Sequence, residues 1–300
     1  MIRKLLGLPT VLFVVSVLLV CLPGKREVGQ PGAFLFVLGL MEAVYLSFAF
    51  RKEEYTAAKD IISLLYGLLL VWEIVTAKLG IAHRVLIPAP EDVFWVFVTQ
   101  RELMIRGIFS SLALLFSGMV VGIGLGMILG MAVGWVPRLR KLFFPIARVI
   151  SPIPPIIYTP YVVALMPTFR SASRLVIILG IFWPTFMSTI LRVTGMERRL
   201  LDSARALCPN SRTMIFEILF PYVWPGIIRN LRVTLSASFL ILTMAEMMGA
   251  SSGLGYFIKN YSDYANYTNV VAGIILVGIV VSVLNLVIGQ MEKHLIRWKS

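Results

Sequence analysis

Runs of apolar residues long enough to cross a bilayer recur along this 300-residue chain. A spanning helix needs about 20 such residues. Eight segments qualify: 5–22, 33–50, 61–79, 107–135, 145–166, 175–194, 227–248 and 270–290. Each run is continuous rather than alternating, which argues against a transmembrane barrel. At 58% hydrophobic and 14% charged, the chain is far from the soluble average of about 25% charged residues. A soluble enzyme is excluded, and the expected fold class is an all-α polytopic membrane protein. The first run is ambiguous. Its basic start (Arg3, Lys4) and its end at Cys21-Leu22-Pro23-Gly24 also describe a signal peptide. Large residues at Leu18, Leu19 and Val20, where cleavage requires small ones, favour a retained helix.

The net charge of +13 is explained by topology without nucleic acid. With the N-terminus in the cytoplasm and eight crossings, 19 of the 28 basic residues fall inside and 9 outside, as the positive-inside rule requires. Both termini are then cytoplasmic. Two cysteines and two histidines leave no disulfide framework and no metal centre. His83 and His294 fall on opposite faces in this topology, and no serine elbow or zinc motif is present.

Within the spans, three features invite a role. Gly118, Gly122, Gly126, Gly130 and Gly134 repeat every four residues, forming one smooth stripe. Such a stripe brings helices into close contact, either as static packing or as a sliding surface. Pro145, Pro152, Pro154, Pro155 and Pro160 crowd the fifth segment. Irregular backbone at membrane depth is tolerated only inside protein or beside a water-filled cavity, so Pro154 and Pro155 are candidates for the translocation path. Ionisable residues inside spans are functional candidates by default; these are Glu42, Glu73 and Glu246. Glu73, after Trp72, reads as an interfacial anchor. Glu42 has no evident role. Glu246 shares its helix with Ser236, Ser238 and Thr243, whose hydroxyls suit a polar solute. The alternative for Glu246 is a packing hydrogen bond or a pair with Arg170 or Arg174. An ionised carboxylate repels an anion, which disfavours direct anion binding there.

The long connection 195–226 is too polar to span. Leu200, Leu201, Ala204 and Leu207 recur at helical spacing. Pro209-Asn210-Ser211 breaks that helix and offers a new N-cap. A second short helix over 212–220 is expected to stop before Pro221. Two helices joined by a tight turn make a knob shaped to enter a groove on another protein.

This loop resembles the EAA coupling loop of ABC-importer permeases. Asp202-Ser203-Ala204 stands at the E-A-A positions, followed by Arg205; Cys208 stands at the glycine position, and Ile218 and Pro221 at the Ile and Pro. Arg212 lies within the same element. The spacing is kept while several identities differ. Cys208 replaces a glycine that would turn at positive φ without steric cost. The segments Ala245–Phe257 (AEMMGASSGLGYF) and Leu86-Ile87-Pro88-Ala89-Pro90 are similar to those of the nitrate, alkanesulfonate and taurine branch. The resemblance implies a six-helix type I permease core over 61–300, preceded by an added N-terminal hairpin over 1–60. It implies an inner or plasma membrane protein with no enzymatic activity of its own. It further implies an ATP-binding cassette partner carrying ATP and Mg, an extracytoplasmic solute-binding protein, and a second permease copy in a homodimer. Consistent with that, the chain lacks a G-x-x-x-x-G-K-[ST] phosphate loop. The expected cargo is a small polar, anionic solute of the sulfonate, taurine or nitrate type. The alternatives are a thiamine-precursor pyrimidine by the same mechanism, or a secondary transporter driven by an ion gradient, which needs intramembrane ion ligands.

Overall fold

The structure is a computed structural model that describes residues 7–50, 55–206 and 210–295. Among these residues every regular element is helical. The chain divides into two compact units, one formed by Met1–Ile105 with Ile258–Leu276, the other by Arg106–Phe257 with Val277–Ser300.

The first unit is built on α1 (Leu8–Cys21), α2 (Gly32–Phe50), α3 (Tyr55–Glu73, extended by a π turn at Ile74–Lys78) and α4 (Pro90–Thr99). The described helix α1 has 14 residues. At 1.5 Å per residue that is about 21 Å, shorter than the hydrocarbon core and shorter than the 5–22 span expected for it. Thr10 donates a hydrogen bond to Glu42 at 2.8 Å, and Tyr66 donates to the same carboxylate at 3.2 Å. Glu42 therefore ties α1, α2 and α3 together in an apolar setting where a lone carboxylate would be costly. Around it pack Phe34, Leu38, Tyr45, Ile62 and Phe94. Phe34 and Phe94 stack at 5.3 Å.

Glu73 is not an interfacial anchor. It is 1% exposed, and the Lys78 ammonium lies 3.1 Å from its carboxylate. Its other neighbour is Glu91, in the first turn of α4 and fully buried. The Glu91 pKa is raised from 4.5 to about 7, chiefly by burial and also by the Glu73 carboxylate, with its backbone hydrogen bond and Lys78 opposing the shift. A carboxyl with a raised folded-state pKa binds protons more tightly when folded. Its stabilising contribution is complete below pH 4.5 and is lost as pH rises through about 7. The apparent melting temperature in detergent is expected to fall from about pH 5 to about pH 8, and Glu91→Gln to flatten that slope; an unchanged slope in the variant contradicts the assignment.

The second unit contains α5 (Arg101–Trp135, from Arg106 on), α6 (Pro137–Ile150), α7 (Pro155–Leu165), α8 (Phe169–Thr194), α9 (Arg198–Ala206), α10 (Phe220–Met247, preceded by a π turn at Met214–Leu219), the start of α11 (Leu254–Asp263) and the later part of α12 (Tyr267–Leu295). The glycine stripe of α5 lies on α8. A Cβ at Gly118, Gly122, Gly126, Gly130 or Gly134 would come within 2.6–3.0 Å of Ile177, Ile181, Thr185, Thr189 or Val193 respectively. The partners also repeat every four residues, and the two registers increase together. The helices are therefore parallel, so the chain between them must travel back across.

That return is made by α6 and α7. The expected single span over 145–166 is instead a pair of helices bent by 98° at a short break. Pro145 and Pro160 lie inside these helices, while Pro152 and Pro154 fall in the break. Ala147 packs with Val133, Phe186 and Ile190, and Val162 packs with Ala172 and Val176. The break thus sits partway along α8, between these two levels. Among the described residues six other helices are long and apolar enough to cross a membrane, or seven spans in all if the bent pair is counted as one.

Because the α5–α8 contacts are to Cβ-level atoms, neither helix can yield without separating. Gly130→Val is expected to cost about 1–3 kcal/mol by overpacking and to lower the apparent melting temperature. Gly124, which has nothing within 4 Å, is the control. Gly124→Ala is expected to be neutral or slightly stabilising, since Ala is the better helix former. Equal melting temperatures for the two variants would contradict the packing role.

Candidate functional site

The polar loop forms a knob with one solvent-facing side and one buried side. Asp202 and Ser203 are exposed on α9. Ala204 and Arg205 lie on the same helix, but their side chains fall outside the described residues, as does all of Cys208. The next element begins at Asn210, whose side-chain oxygen accepts a hydrogen bond from the Thr213 amide at 2.7 Å, an N-cap. Arg212 and Pro221 are exposed and Ile218 is half-buried.

The expected stop before Pro221 does not occur. The chain passes through a π turn at Met214–Leu219 straight into α10. The Phe220 amide donates to the carbonyl of Ile215, five residues back. Proline ends an α-helix because its ring meets the carbonyl four residues earlier and it supplies no donor. The wider π turn relaxes that conflict, and Pro221 follows inside one continuous helix. On the buried side, Met214, Leu219 and Val223 pack with Met127, Met131, Val193 and Met196. The knob is thereby joined to the ends of both α5 and α8. Arg192 of α8 also donates to the Gly226 carbonyl at 3.3 Å.

At the opposite end of α10, Glu246 is 1% exposed. It accepts hydrogen bonds from Ser111 at 2.7 Å and from the Gly255 amide at 2.8 Å. Ser111 also accepts from the Leu254 amide at 2.9 Å. The carboxylate therefore caps the start of α11 and fastens it to α5. Gly253, at φ +124°, lies against that carboxylate where a Cβ would collide with it. Glu246 fulfils the packing alternative, with Ser111 and backbone amides as partners. Removing such an acceptor leaves buried donors unmatched, at about 1–3 kcal/mol. Glu246→Leu is expected to lower the apparent melting temperature clearly and Glu246→Gln to lower it less; an unaffected Leu variant contradicts the capping role.

Two cavities open along the groove between α8 and α10. The first, about 350 Å³, is lined by Pro154 and Pro155 from the break, by Tyr158, Gly180, Trp183 and Pro184, and by Ala237, Leu240 and Ile241. The second, about 280 Å³, is lined by Thr185, Ser188, Asn230 and Thr234 together with Ile123, Pro184, Ile227 and Val233. Pro184 borders both. Of the other residues expected along the path, none lines either cavity. Ser238 is fully buried and donates to the Thr234 carbonyl, Thr243 donates to the Phe239 carbonyl, and Ser236 accepts from Asn285. Sequence reasoning missed Thr185, Ser188, Asn230 and Thr234. The available signal was Pro184, a proline inside a spanning helix beside hydroxyl residues. Among the described residues, no group of three or more His, Cys, Asp or Glu is placed to hold a metal ion.

Among the described residues, apolar helices long enough to cross a bilayer, a bent pair beside a cavity and an anchored polar knob define a polytopic membrane protein. Residues 122–300 match the family described as the binding-protein-dependent transport system inner membrane component, and the chain belongs to that family. It is 26% identical over 235 residues, 77% of this chain and 84% of the other, to an aliphatic sulfonates transport permease protein, SsuC, of Bacillus subtilis (strain 168). It is 25% identical to the taurine transport system permease protein TauC of Escherichia coli (strain K12), covering 77% and 86%. It is 27% identical to the nitrate import permease protein NrtB of Synechocystis sp., covering 65% and 70%. Among solved structures, a chain of the inward-facing MetNI methionine ABC transporter superposes with a TM-score of 0.55 at 21% identity, over 66% of this chain and 99% of that one. That likeness shows the type I permease fold.

Proposed function

We propose that this permease carries a small oxyanion of the sulfonate, taurine or nitrate kind, handed over by an extracytoplasmic binding protein, and that it is driven by ATP bound with Mg on a separate subunit. The cargo class follows the relatives named for aliphatic sulfonates, taurine and nitrate. The observation that carries the mechanism is the two-sided knob at 195–226. Asp202, Ser203, Arg212 and Pro221 are exposed to a partner, while Met214 and Leu219 are locked into the ends of α5 and α8. A push on the exposed side is therefore delivered to the spans and not absorbed by a flexible loop. The knob faces the cytoplasm, as the excess of basic residues there requires, and the two spans that follow it return the C-terminus to the same side. Two copies, each gripped by one ATP-binding subunit, form the pathway, since closed two-fold pairing is the commonest homo-oligomer. ATP binding and hydrolysis shift the pair between two states that bind solute differently. Helices over 1–60 stand outside this core as an addition.

The test is reconstitution of the complex in proteoliposomes. Ala204→Asp and Arg205→Glu are expected to leave the protein in the membrane but to reduce ATP-driven uptake at least about 10-fold, as disruption of an interface anchor does. Uptake at the wild-type rate would remove the docking role.

A further inference from the structure

Polar groups inside a membrane span normally find protein partners or face a water-filled space. Along the α8–α10 groove, several lack a protein partner among the described residues and line a cavity. Among the described residues, the Thr185 hydroxyl, the Thr234 hydroxyl and the Asn230 amide make no hydrogen bond within the protein, yet all three line the 280 Å³ cavity. Ser188 joins them. Its hydroxyl proton is given to the Thr185 carbonyl at 3.0 Å, and rotation about the C–O bond turns that proton to a guest oxyanion. The residues come from two helices and converge on one space. Spacing explains why: Asn230 and Thr234 are four apart on α10, and Thr185 and Ser188 three apart on α8, so each pair shares a face. No carboxylate lines the cavity. Arg229, next to Asn230, is exposed and has no acidic partner among the described residues. Among the described residues the ion pair on α10 is that of Arg232 with Glu292, at 3.2 Å.

We infer that Thr185, Ser188, Asn230 and Thr234 form a contact station for the oxyanion group of the passing solute, with Arg229 supplying the positive potential that draws it in. This rests on the importer reading and extends it to a site. Neutral donors suit the task. A fixed cation within the cavity would hold an anion too tightly, whereas conduction requires contacts strong enough to admit the solute and weak enough to release it. The neighbouring cavity at the break continues the groove with a different lining. There Pro184 supplies no amide to the Gly180 carbonyl four residues back, and both residues border the cavity with Trp183 and Tyr158; we take that carbonyl as the acceptor of this end. An acceptor favours an ammonium or amide group. The groove thus presents donors at one end and an acceptor with aromatic walls at the other.

The experiment uses the complete complex in proteoliposomes, with Cys21 and Cys208 replaced by Ser and a thiol placed by Thr234→Cys or, separately, Ser188→Cys. Modification rates are measured with 2-sulfonatoethyl methanethiosulfonate and with its trimethylammonium counterpart, each relative to a free thiol. The sulfonate reagent is expected to be favoured by about 10-fold, a preference that Arg229→Gln removes, as local steering by charge predicts. Millimolar taurine, ethanesulfonate or nitrate is expected to slow the reaction. In parallel, Asn230→Leu combined with Thr234→Val is expected to reduce uptake of the transported probe at least about 10-fold, the loss expected when hydrogen bonds to a charged group are removed. Failure of both thiols to react, or preference for the cationic reagent, overturns the station. So does wild-type uptake by the double variant, and in that case the importer reading stands. If the wild-type complex carries none of the three probes while the thiols keep their preference for the sulfonate reagent, the cargo assignment fails and the station stands.

Discussion

Lipid tails are as apolar as leucine, so nothing squeezes α5 and α8 together, and their association depends on how closely their backbones approach. Five glycines facing Ile177, Ile181, Thr185, Thr189 and Val193 set that distance at van der Waals contact along the whole interface. The parallel register they impose has a topological consequence. Because α5 and α8 run the same way, the intervening chain must cross back within the 33 residues 136–168, and it does so as two short helices instead of one. The break, the cavity beside it and the groove along α8 all follow from a pairing that is fixed by missing side chains.

The buried carboxylates and the neutral polar residues divide the work in an unexpected way. Ionisable groups at membrane depth are the first place to look for function, yet here they hold the fold. Glu42 fastens three helices through Thr10 and Tyr66. Glu246 caps a helix through Ser111 and the Gly255 amide. Glu73 is compensated by Lys78. Glu42 and Glu246 are satisfied by hydrogen bonds and Glu73 by an ion pair, as a charge in a poorly solvated site must be. The groups left without partners along the groove are hydroxyls and an amide, which cost less to leave open to water. A path lined by such groups avoids both the expense of burying charge and the trapping of a charged solute.

How much of this was legible in the sequence depended on the range of the interaction. Hydropathy alone placed most of the spans, because a run of apolar residues is a local property. The prolines at 152–155 announced the break for the same reason. The α5 stripe was visible, but its partner was not: Ile177 to Val193 also repeat every four residues, yet nothing local pairs one helix with the other. For Glu246 the packing hydrogen bond was among the readings but its partner, Ser111, was not, because it is distant in sequence; Glu73 was read as an anchor because its burial beside Lys78 and Glu91 arises only on folding. The short helices α4 and α11 fell below the length that a hydropathy reading detects. Pro221 failed for a different reason. The rule that proline ends a helix presumes α-type hydrogen bonding, and the π turn at Met214–Leu219 removes that premise.

That π turn also bears on how the knob transmits force. A loop ended by proline would hinge at 221, and motion of the exposed surface would dissipate there. A continuous helix from Met214 to Met247 is a rod of about 51 Å at 1.5 Å per residue. It carries the knob at one end, the unpartnered Asn230 and Thr234 partway along, and the Glu246 cap at the other. Displacement at Met214 is resisted by the methionine cluster on α5 and α8 and by Arg192 on Gly226, and displacement at Glu246 by Ser111. Between these two held ends lie the Asn230 and Thr234 side chains, which face the polar cavity without a hydrogen bond among the described residues, so that one unbroken rod joins knob, cavity and cap.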